Sequence, residues 1–171
     1  WNTPIVVAKS TKRPGGYNVY TGNQYLYKST DEGNNWAKIS PDLTTNDKNK
    51  QNTEKSGGIT GDNTSAENHC TIFTLVQDPR NEDIIWVGTD DGIAKYNRSK
   101  DEFKNYDFTE LLNAPPIGGR VFNFLIDSKN RMWAATRNYG VLLYNEQIDK
   151  WDQVAIWLKD SSKAVIVNSL V

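Results

Sequence analysis

The feature that most constrains this chain is an internal repeat. Three segments run in the same order: "YNVYTGNQYLYKSTDEGNNWAKIS" (Tyr17 to Ser40), "DIIWVGTDDGIAKYNRSKDEFKNYDF" (Asp83 to Phe108) and "NRMWAATRNYGVLLYNEQIDKWDQV" (Asn130 to Val154). In each, an apolar strand carries an aromatic at Tyr20, Trp86 or Trp133, and a tight turn follows with Gly22, Gly92 or Gly140. A second strand ends in Tyr27, Tyr96 or Tyr144. A polar turn then leads to a last strand opened by Trp36, Phe103 or Trp151. One more strand precedes each hairpin: "PIVVAKS", "CTIFTLVQD" and "RVFNFLID". Trp86 and Trp133 lie about 47 residues apart, the spacing of a propeller blade. Four short strands per unit, with no helical period between them, predict an all-β fold of β-propeller type. A β-sandwich could use the same strands, but it has no need of self-similarity.

The predicted organisation follows from these units. Residues 1–40 form one blade, 41–69 a polar insertion, 70–108 and 120–153 two further blades, and 154–171 a partial blade. That is about three and a half four-stranded blades, an incomplete ring or part of a larger propeller. An open ring would leave apolar sheet faces uncovered. The expected partners therefore include the remaining blades of a larger protein or a second copy of the chain. The start at Trp1, without an initiator methionine, reads as a segment of something longer.

Composition narrows the function classes. The 171 residues carry a formal net charge of −1, with acids and bases interspersed, so no nucleic-acid footprint is expected. The single cysteine, Cys70, cannot form an internal disulfide, and no metal-ligand spacing or cofactor motif is present. No apolar run is long enough to predict a membrane span.

"STDEGNNW" (Ser29 to Trp36) crowds turn residues between two strands. Asp31 suits an Asx-type turn, Gly33 permits a positive φ, Ser29 can bond to the same turn, and Trp36 is expected to pack back against the sheet. The order Ser-x-Asp-x-Gly-x-x-Trp resembles the Asp-box of BNR-type repeats. With "YLYKSTDEGNNWAKISPDLTTND", "SGGIT" and "AENHCTIFTLVQDPRNEDIIWVGTDDG", the first half resembles the sortilin-like, BNR-repeat glycosyl-hydrolase-type propeller family. The second half, "DSKNRMWAATRNYGVLLYNEQIDKW", is similar to the propeller repeats in sensor regions of bacterial two-component regulators. Against that pattern, Asn130 and Ala135 stand where glycines are usual. These resemblances imply a bacterial protein that is secreted, periplasmic or at the cell surface. They also imply that Ser29, Asp31, Gly33 and Trp36 are structural.

No catalytic constellation is legible. Sialidase chemistry would need three converging arginines, a tyrosine with a nearby acid, and an acid/base aspartate, and "KRPGG" does not supply the accompanying motif. Asp90 and Asp91 with Glu67 are the candidates for a glycosidase carboxylate pair, but Asp-Gly before a strand is expected for backbone reasons alone. Glu67, Asn68 and His69 precede an inner strand and should face the axial mouth of a ring. With Asp90, Asp91, Arg120 and Arg137 they form the candidate ligand-binding set. The expected function is a non-catalytic recognition or assembly module binding a protein or glycan. The alternatives are a fragment of a glycoside hydrolase whose catalytic residues lie elsewhere, and a periplasmic sensor domain of a two-component regulator.

Overall fold

The computed structural model describes residues 3–10, 12–44, 46, 48, 71–90, 92–108 and 119–154. Its twelve described strands form three four-stranded antiparallel sheets, each a simple meander. Sheet 1 comprises β1 (Ile5–Lys9), β2 (Tyr17–Gly22), β3 (Leu26–Ser29) and β4 (Ala37–Lys38). Sheet 2 comprises β5 (Ile72–Gln77), β6 (Ile84–Thr89), β7 (Gly92–Asn97) and β8 (Glu102–Asp107). Sheet 3 comprises β9 (Val121–Ile126), β10 (Met132–Thr136), β11 (Gly140–Asn145) and β12 (Lys150–Val154). Each sequence repeat thus folds as one sheet. The first strands lie side by side in series, β1 next to β5 and β5 next to β9, which is a propeller-like arrangement.

Burial follows from this order. Sheet 2 is covered on both faces, so β6 (IIWVGT) is buried along its whole length. Sheet 1 is covered on one face only, and β2 (YNVYTG) alternates between buried and more exposed positions. One core joins sheets 1 and 2 through Ala8, Tyr20, Leu26, Ile72, Leu75 and Tyr96. A second joins sheets 2 and 3 around Trp86, whose ring meets Tyr144 at 4.6 Å and Trp151 at 5.3 Å, both edge-on. Each large side chain buried in this way contributes about 1.5–3 kcal/mol.

Two glycines set how closely the sheets approach. A Cβ on Gly22 would lie 2.6 Å from Ile72 Cδ1 of sheet 2. A Cβ on Gly88, two residues beyond Trp86 as Gly22 is beyond Tyr20, would lie 2.8 Å from Val121 Cβ of sheet 3. The second strands of sheets 1 and 2 therefore give up a side chain where the next sheet's first strand begins. Backbone bonds reinforce the same seams, with Ile72 N–H donating to Asn23 O at 2.6 Å and Gly119 N–H to Asp90 O at 3.1 Å. A register shift recurs as well, between Ile72 and Thr74 in sheet 2 and opposite Ala135 and Thr136 in sheet 3.

Candidate functional site

The Ser29–Trp36 turn is closed by its own side chains. Ser29 Oγ donates to Asp31 Oδ1 at 2.8 Å and accepts the Gly33 N–H at 2.8 Å. Asp31 also accepts the Asn35 N–H at 2.9 Å and the Asn35 side-chain amide at 2.7 Å. Gly33 takes φ 94°. The donors, led by Asn35, draw the Asp31 carboxyl down to about 2. It is ionised and committed to the turn, a poor general acid. Trp36 departs from expectation. It is 43% exposed and lies against the Gly33 end of the turn instead of pinning it to the core. The following strand, β4, spans only Ala37–Lys38, too short to carry the indole under the sheet.

Of the candidate ligand-binding residues, Asp90, Arg120 and Arg137 come together at one rim, where the second strands of sheets 2 and 3 end. Asp90 is buried, and its Oδ1 accepts the Thr71 N–H at 3.2 Å. The Arg120 guanidinium lies over the Phe73 ring at 4.2 Å, and the Arg137 N–H donates to Arg120 O at 2.8 Å. Burial lowers the Arg120 pKa from its ordinary value; Asp90 opposes that shift and Arg137 adds to it. A guanidinium over an aromatic ring, with a second arginine close by, can hold an anionic or planar polar group. Glu67, Asn68, His69, Cys70 and Asp91 lie outside the described residues, as does the predicted partial blade beyond Val154. Among the described residues no group of histidine, cysteine and carboxylate side chains could hold a metal, and no helix is long and apolar enough to cross a membrane.

The densest polar cluster was not legible in the sequence, and it joins sheets 2 and 3. Asp149 Oδ1 accepts from Lys95 Nζ at 2.8 Å and from the Tyr106 hydroxyl at 2.6 Å; Lys104 and the Tyr144 hydroxyl also donate to it. Partial burial pushes the Asp149 carboxyl up, but these donors outweigh it and hold it well below the usual range. Arg80 reaches Glu146 across the same seam at 3.3 Å. Between sheets 1 and 2 one tie is Arg98, a buried residue in the turn after β7. Its guanidinium donates to Lys9 O at 2.7 Å and Glu82 O at 2.6 Å. Two backbone carbonyls at the seam thus accept from its two terminal nitrogens.

A further device recurs inside sheets 2 and 3. Asp78 caps its turn by accepting the Arg80 N–H at 2.9 Å, and its Oδ2 accepts Trp86 Nε1 at 2.9 Å. Asp127 does the same, accepting from the Lys129 and Arg131 N–H groups at 2.9 Å each and from Trp133 Nε1 at 3.0 Å. The signal was the Asp that precedes each second-strand Trp by eight or six positions.

No protein-family model matches the chain, and no curated protein matches it. Solved structures do. Two of them are of the extracellular domain of BT4673 from B. thetaiotaomicron, described as a one-component system in one and a hybrid two-component system in the other. They superpose with TM-scores of 0.54 and 0.55 at 13% and 14% identity, over 95% and 96% of this chain. The chain spans 17% of the length of those proteins. The shared feature is the fold. The sortilin-type likeness of the first half draws no support from these structures.

Proposed function

We propose that this chain is part of a β-propeller that recognises a ligand in the extracytoplasmic sensor region of a two-component-type regulator, and that it carries no chemistry of its own. The observation behind this reading is the fold shared with an extracellular domain of that type over nearly the whole chain. The polar side chains agree with it. The ligand place in this reading is the Asp90–Arg120–Arg137 rim, which gathers charged residues at the strand ends beside Phe73. Rims at strand ends, held on a rigid scaffold, are where recognition residues collect. Reading the encoding gene beyond residue 171 tests the context. A downstream membrane-crossing segment followed by a kinase region supports the sensor, and a hydrolase module in its place contradicts it. Replacing Arg137 with Met should abolish the parent's signalling response while leaving its thermal midpoint unchanged; an unaltered response would remove the rim from the proposal.

A further inference from the structure

From the two seams already described, we infer that the outward face of sheet 1 is a third seam of the same kind. Its occupant is a further four-stranded sheet of the same polypeptide, with basic side chains on its third or fourth strand. This rests on the proposed reading of the chain as part of a larger propeller. The register supplies the argument. Ile5 pairs with Thr21, Leu75 with Val87 and Phe124 with Ala134, each partner lying one residue after the aromatic of the second strand. These three residues hold one structural position. Leu75 is 8% exposed, against sheet 1, and Phe124 is 7% exposed, against sheet 2. Ile5 is 65% exposed, and Val7 and Tyr17 on the same sheet are 61% and 54% exposed. Among the described residues, an apolar face with this pattern is covered twice and uncovered once.

Charge specifies the occupant further. At the seam of sheets 2 and 3, the turn between the last two strands of sheet 3 presents Glu146 and Asp149, which capture Arg80, Lys95 and Lys104 of the preceding sheet. The corresponding turn of sheet 1 presents Glu32, beside Asp31, whose carboxylate Ser29 and Asn35 already bond. The two acids rim a cleft of about 570 Å³ whose lining includes Val7, Val19, Tyr17 and Arg13. Ser29 stands two residues after Tyr27, where Arg98 and Glu146 stand after Tyr96 and Tyr144. Those two reach across their seams, whereas Ser29 is turned into its own loop. Sheet 1 thus sends no long side chain across from this position, and the cleft takes one from the sheet that covers it. Arg13, which also lines the cleft, donates to Tyr17 O at 2.6 Å.

Hydroxyl-radical footprinting of the 171-residue chain and of its full-length parent tests this. In the monomeric parent, Tyr17 should be modified about fivefold more slowly than in the isolated chain. Equal rates would overturn the inference, and so would protection that appears only in a dimeric parent, which would make a second copy the occupant. As a second readout, Ile5→Lys with Val7→Lys should leave the isolated chain's thermal midpoint within about 2 °C but lower the parent's by about 4 °C or more. An unchanged parent would contradict the inference. Neither readout depends on whether the parent signals, so failure of the sensor reading is distinguishable.

Discussion

At the scale of single residues, the two seam glycines are not equivalent. The atom that a Gly22 Cβ would strike first is the end of the flexible Ile72 side chain, whereas a Gly88 Cβ would meet Thr74 Cγ2 at 2.6 Å and the branched Val121 Cβ and Cγ1 at 2.8 Å. Gly88→Ala should therefore cost about 1–3 kcal/mol and Gly22→Ala less, measured by chemical denaturation. Ala135 stands at the same place in sheet 3, two residues beyond Trp133, and tolerates its methyl. The other departure from the repeat pattern, Asn130, takes φ 57°, a left-handed conformation that asparagine tolerates better than most residues. At Asp31 the donor set makes a direct prediction. Its carboxyl should titrate at about 2 by NMR, and Asn35→Ala should move it up towards the ordinary value of about 3.9. No shift on removing Asn35 would mean that the turn is not held by that pair.

At the scale of elements, polar devices tie turns to strands and sheets to each other. Asp78 is buried and serves both Arg80 and Trp86, so Asp78→Ala leaves the buried Trp86 N–H without its acceptor and Arg80 with Glu146 alone, and should cost about 1–3 kcal/mol. Asp127 is more open, and its loss should cost less. The Asp149 cluster gives a pH dependence. Its folded pKa lies below the unfolded one, so its contribution is present above about pH 4 and fades as pH falls through the folded value. Asp149→Asn should flatten the acid limb of stability against pH and cost about 1–2 kcal/mol at neutral pH, the cluster being partly exposed and screened. These ties explain what the sequence showed and what it hid. Strands, turns and their grouping were legible because apolar alternation and turn residues are local signals. The Ser29–Asp31–Gly33 turn was legible for the same reason. Asp149 and Arg98 were not, since their partners lie on another sheet, 54 and 89 positions away for Lys95 and Lys9, and no local pattern encodes that meeting. Trp36 misled because an aromatic opening a strand usually packs inward, and here the strand is two residues long.

At the scale of the whole molecule, three like sheets follow one another, and sheets 1 and 2 each present the aromatic and glycine of their second strand to the first strand of the next. The same order leaves one face of sheet 1 apolar and open, and sets the Asp90–Arg120–Arg137 rim where sheets 2 and 3 meet. The most direct test is a methyl-resolved nuclear Overhauser spectrum of the chain. It should show contacts from the Gly22 α-protons to the Ile72 δ-methyl, and from the Gly88 α-protons to the Val121 methyls. Absence of both, or contacts from Gly22 to Val121 in their place, would contradict the serial order of the sheets.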